Sequence, residues 1–100
     1  MPKEIKETDP VLYLAVYHWL DAYTCREGDE KIEKQGGIRI LETGFVKTYN
    51  KKVLVTTTEY GEEEGIEWRG VNIVPAKMLL NIMFYPVGNK KEIFNARSKE

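Results

Sequence analysis

Asp9-Pro10-Val11-Leu12-Tyr13-Leu14-Ala15-Val16-Tyr17-His18-Trp19-Leu20-Asp21 opens the longest apolar stretch of the chain, and the period assigned to it decides the fold. Asp9 followed by Pro10 suits a helix start: the aspartate oxygen accepts an orphan amide hydrogen bond and proline fits the first helical position. On a helical wheel Val11, Leu12, Ala15, Val16, Trp19, Leu20, Ala22 and Tyr23 share one broad side, leaving Tyr13, Tyr17, Asp21 and Thr24 on the other. The expectation is a helix from Val11 to about Arg26, lying across a sheet. Gly28 and the charged run from Asp29 to Lys34 end it, and Gly36-Gly37 turns the chain into extended structure.

Beyond Ile38 the texture becomes β-branched and aromatic. Gly44 interrupts the alternation of Ile38, Ile40, Val46 and Thr48 as a bulge would. Tyr49-Asn50-Lys51-Lys52 reads as a hairpin turn, and Val53 to Tyr60, rich in Val and Thr, is the clearest strand. Gly61-Glu62-Glu63-Glu64-Gly65 is a glycine-bracketed acidic loop before a strand from Ile66 to Val74. Pro75 to Tyr85 fits either a second helix opened by Pro75 and running to about Met83, the favoured reading, or a buried strand. Pro86 to Asn89 reads as a turn and Lys90 to Ala96 as a last edge strand. The fold class expected is therefore α+β: an antiparallel sheet of four or five strands with an N-terminal helix, and a possible second helix, on one face. Residues 1–100 make one compact domain, with 1–8 and 97–100 frayed.

Composition narrows the function. One serine (Ser98), one histidine (His18) and one cysteine (Cys25) leave little for nucleophilic catalysis. On a helix His18, Asp21 and Cys25 share a face, but seven residues at about 1.5 Å each hold His18 and Cys25 roughly 10 Å apart, too far for proton transfer. The plain reading is a histidine paired with Asp21 and a packed cysteine. One His and one Cys do not make a zinc site, and Glu62, Glu63 and Glu64, with Glu59 or Glu67, lack calcium-loop spacing. No cofactor is expected, and the chain reads as non-enzymatic. An enzyme built on a carboxylate pair stays open as a lesser reading, since no spacing selects the pair.

The apolar run is about half the length a membrane span needs, and the N-terminus fits neither a signal peptide nor an acylated start. Cytoplasmic location and no membrane partner are the expectations. Charge is blocky, at −4, +4, −5 and +4 over residues 1–33, 34–58, 59–67 and 68–100, summing to the net −1. Such blocks either pair strands through cross-strand ion pairs or leave separate patches. An acidic contact surface would comprise Glu59, Tyr60, Glu62, Glu63, Glu64, Glu67 and Trp68, with charge steering a basic partner and aromatics holding it. Its plain alternative is a charged hairpin that blocks edge pairing. A basic surface would use Lys51, Lys52, Lys90 and Lys91, with Arg39 or Arg97, to grip phosphates if the two turns share one end of the sheet. Tyr13 and Tyr17, exposed on a helix, would suit homodimer packing.

Thirteen glutamates and eleven lysines against single Ser, Gln and Cys residues are a thermophile's balance, although five asparagines and three methionines run against it. In size and texture the chain resembles the small orphan proteins of archaeal filamentous and rod-shaped viruses. That resemblance implies a viral accessory protein acting in the host cytoplasm, some of whose class bind and inhibit CRISPR effector complexes. The implied partner is a host protein or ribonucleoprotein, with nucleic acid as the alternative.

Overall fold

The computed structural model describes residues 2–21 and 38–95. Five strands form one antiparallel sheet: β1 (Val11–Asp21), β2 (Ile38–Tyr49), β3 (Val53–Tyr60), β4 (Trp68–Pro75) and β5 (Leu79–Asn89), in spatial order β4-β3-β2-β1-β5. The α+β expectation is overturned, for the described residues contain no α-helix and only a one-turn 3-10 segment, Ala76–Met78. Among them no helix is long and apolar enough to cross a membrane.

The N-terminal helix is instead a strand whose alternate residues Ala15, Tyr17, Trp19 and Asp21 are buried. Val16, His18 and Leu20 between them are half-buried and, His18 apart, apolar, so both faces carry hydrophobic side chains and the period of two is hidden beneath a nearly continuous run. Asp9 caps no helix. Its side chain accepts the Lys6 amide at 3.0 Å and its own amide bonds the Lys6 carbonyl, closing a turn. The second helix is likewise replaced: Pro75 is followed by the 3-10 turn, and Leu79–Asn89 runs as β5 straight through the turn expected at Pro86. Residues 90–95 form turns rather than an edge strand. Ile5, in the segment expected to fray, is 1% exposed and bonded both ways to Tyr49, at 2.8 and 2.9 Å. The helix end at Gly28 and the turn at Gly36-Gly37 lie outside the described residues.

One strand serves two partners in succession. β2 pairs with β1 from Ile38 to Phe45 and with β3 from Phe45 to Tyr49, so it turns a corner between two half-sheets. Gly44 stands at that corner. A β-carbon there would sit 2.8 Å from Thr56 Cβ, closer than atoms tolerate. The bulge expected at Gly44 falls later, between Val46 and Thr48.

The bend coils the sheet. In a flat sheet with strands about 4.8 Å apart, β1 and β4 would be about 14 Å apart. Yet Asn72 on β4 donates to the Tyr17 hydroxyl on β1 at 3.1 Å. The coil also lets three residues carry the chain from Pro75 on one edge strand to Leu79 on the other. Inside lie Ile5, Ala15, Tyr17, Trp19, Val46, Leu54 and Val74, ringed by partly buried side chains that include Tyr49 and Phe84, whose rings are 4.9 Å apart.

Two substitutions test this packing. Gly44→Ala should cost about 1–3 kcal/mol in denaturant unfolding, because Thr56 Cβ cannot rotate away; a loss within about 0.5 kcal/mol would contradict the corner. Thr57 Oγ1 is buried with no hydrogen-bond partner among the described residues. Thr57→Val should therefore raise stability, by about 1 kcal/mol, and a loss would show that the hydroxyl is satisfied in solution.

Candidate functional site

The β3–β4 hairpin brings the expected acidic and aromatic residues to one tip. The Gly61 amide bonds the Glu67 carbonyl at 2.7 Å, and the Gly65 amide donates to the Glu67 carboxylate at 3.0 Å. That second bond, chiefly, holds the Glu67 carboxyl below the ordinary range, with Lys47 contributing. Glu59, Glu62, Glu63 and Glu64 are exposed, and Ile66 stands half-exposed among them.

Cross-strand ion pairs do not neutralise this charge. The one ion pair between described residues is Lys6–Glu4 at 3.7 Å, and although Glu59 lies opposite Arg69 in the ladder, no ion pair joins them. The aromatics at the tip's base are ordered. Tyr60 and Trp68, opposite each other on the face that leads into the core, meet edge to face at 4.7 Å, and Phe94 stacks on Tyr60 at 6.2 Å. Burial, and then the Glu67 charge, raise the Tyr60 pKa.

Lys90 joins this cluster rather than a basic one. Its ammonium lies 5.2 Å from the Trp68 ring centroid and donates to the Glu7 carbonyl at 2.8 Å. Burial lowers its pKa, while Asp9 and Glu7 pull the other way. Lys51 instead borders a shallow groove with Tyr49, Asn50, Leu79 and Leu80, and Lys3 and Lys52 flank the same turn. The two lysine pairs thus stand at opposite ends of β5. Lys91 is exposed beside Lys90, Arg39 is exposed on β2, and Arg97 lies outside the described residues.

The helical-face readings dissolve with the helix. On a strand His18 and Asp21, three residues apart, point to opposite faces; Cys25 lies outside the described residues. Tyr17, expected to be exposed, is 1% exposed, and Tyr13 is half-buried against the core.

A second polar constellation went unread in the sequence. Glu42 accepts from the Trp19 indole at 2.7 Å, from Asn72 at 3.0 Å and, more loosely, from the Tyr17 hydroxyl at 3.5 Å. The Tyr17 hydroxyl is also hydrogen-bonded to Thr56 Oγ1 at 2.8 Å. Four strands contribute. The available signal was Glu42 at a position whose neighbours Ile40 and Gly44 share its strand face. Both Glu42 oxygens and the Tyr17 and Thr56 hydroxyls have partners, so the group ties the half-sheets together rather than presenting a free acid.

Compared with family models, curated proteins and solved structures, the chain matches none.

Burial, above all, lifts the Tyr17 pKa above its ordinary 10.0; the Thr56 and Asn72 bonds lower it, and the Glu42 charge adds to the rise. The folded chain therefore holds this proton at pH values where the unfolded chain has released it, so its contribution is complete below pH 10 and is lost as pH climbs through the raised pKa. Tyr17→Phe, which strands Thr56 Oγ1, should cost about 1–3 kcal/mol at neutral pH. It should also flatten the decline of stability above pH 10; an unchanged alkaline slope would refute the assignment.

Proposed function

We propose that this chain is a non-enzymatic protein-interaction module whose contact surface is the β3–β4 hairpin tip. The observation that carries this reading is the unneutralised acidic block of Glu59, Glu62, Glu63, Glu64 and Glu67, set on a base of ordered aromatics. Charge accelerates encounter with a basic surface, and Tyr60, Trp68 and Phe94, already held by one another, lose little side-chain freedom on binding. A hairpin closed by its own backbone bonds presents these groups without refolding. A non-catalytic role also fits Glu42, both of whose oxygens accept bonds from the core network. With the class resemblance, the partner becomes a host protein or ribonucleoprotein of the defence machinery, met in the cytoplasm. Nucleic acid through Lys51 and Lys52 is the competing reading, now without Lys90, which packs on Trp68.

Affinity capture of the tagged chain from host lysate, with and without nuclease, separates the two. A stoichiometric protein that survives nuclease is expected. Glu62→Lys, Glu63→Lys and Glu64→Lys together should slow its association by about tenfold or more, and most at low salt. Undiminished capture by the triple variant would refute the tip as the surface. Nuclease-sensitive retention alone, falling steeply with salt, would transfer the function to the basic turn.

A further inference from the structure

We propose that two copies of this chain associate through the free edge of β4, antiparallel about Asn72, so that the sheet continues from one copy into the other. The sheet has two edges, and they are defended unequally. β5 carries Pro86 within the strand, and its pairing with β1 slips near each end, between Leu12 and Tyr13 and between His18 and Trp19. Between Val71 and Val74 β4 has neither charge nor proline, and its register against β3 keeps one offset from Val53–Pro75 to Tyr60–Trp68, with only Gly70, at φ 71°, left out of the ladder. Among the described residues no ladder pairs its other side. Its outward side chains Val71 and Ile73 are 51% and 63% exposed. An uncharged edge with exposed apolar side chains is a template for another strand.

The occupant is a second copy because the strand complements itself. Reading β4 antiparallel to its own duplicate about Asn72 sets Val71 against Ile73 of the second copy, twice, and gathers four exposed apolar side chains at the two-fold axis. Arg69, the one charge in the strand, falls opposite Pro75 and meets no like charge. Continued past the strand, the same pairing sets Glu67, one residue before β4, opposite Lys77 of the second copy, two residues after it. The flanks follow the same sign. The acidic tip leads into β4, while Lys77 and the turn bearing Lys51 and Lys52 lie at its other end, where the Ala76 amide bonds the Lys52 carbonyl at 2.9 Å. Antiparallel pairing therefore lays the acidic end of each copy along the basic end of the other. The +4 and −5 blocks, which form no ion pairs among the described residues of one chain, acquire partners between two. Tyr60 and Trp68 lie on the opposite face of the sheet from Val71 and Ile73, so the aromatic cluster stays outside the apolar seam.

Sedimentation equilibrium on the isolated chain tests this without any partner protein, so its outcome is independent of whether the hairpin tip captures one. A reversible dimer is expected, weakened by salt. Val71→Lys with Ile73→Lys, both at exposed positions, should yield a monomer with an unchanged circular dichroism spectrum. Glu67→Lys and Lys77→Glu should each weaken the dimer by about threefold to tenfold, and the two together should restore it. A monomer at every concentration up to about 1 mM overturns the proposal and leaves the edge to a strand of another protein. A dimer that survives the two lysines overturns the surface, and a charge exchange that fails to restore pairing overturns the register.

Discussion

The bend of β2 at Gly44 is the constraint on which the other contacts rest. Because β2 gives its first half to β1 and its second to β3, the two half-sheets face each other across one interior instead of lying side by side. Only then does Tyr17 reach both Thr56 and Asn72, and only then does the carboxylate of Glu42 find donors on β1 and β4. The corner needs a residue without a side chain, since Thr56 occupies the space a β-carbon would take. A glycine that looks like an interruption of a strand is here what allows the strand to serve two sheets.

The same coiling explains why the first strand reads as a helix in the sequence. A strand with one wet face alternates polar and apolar residues, and Val53–Tyr60 was legible partly because its threonines and valines mark extended structure regardless of face. β1 is the central strand of its half-sheet, flanked by β2 and β5, and is apolar on both sides. Its run therefore satisfied a helical wheel. The composition did hold the opposite signal: Val11, Tyr13, Val16, Tyr17 and Trp19 are β-branched or aromatic, and propensity would have arbitrated where periodicity could not. Pro75 misled in a related way, opening a single 3-10 turn because the next apolar residues were required as an edge strand for β1.

The candidate site was legible where chemistry is local and illegible where it depends on folding. The glycine-bracketed acids and the flanking Tyr60 and Trp68 are neighbours across one tight hairpin, so the sequence places them together. Phe94 and Lys90 arrive from the far end of the chain, and nothing local links them to Trp68. Grouping Lys51 with Lys90 failed for the complementary reason: two basic turns look alike in sequence, and the length of β5 separates them. The charge blocks could be counted, but whether they cancelled within the chain required the register.

Among the described residues the single coiled layer gathers its hydrophobic core on the inner face, and this sets how such a small chain interacts. The inner face closes over Tyr17, Leu54 and Val74, while the outer face carries the registered row Val71, Thr57, Phe45, Leu14 and Tyr85 across all five strands. Val71 and Tyr85 at its two ends remain 51% and 47% exposed. Covering such a face needs a second layer, and covering such an edge needs another strand. Burial of that area on association is worth most where the apolar side chains are densest and the backbone is unpaired, and β4 is where the two coincide. The charges at either end of the strand then decide which way a partner strand can lie, because the acidic hairpin disfavours another acidic end and the lysine-bearing turn disfavours another basic one.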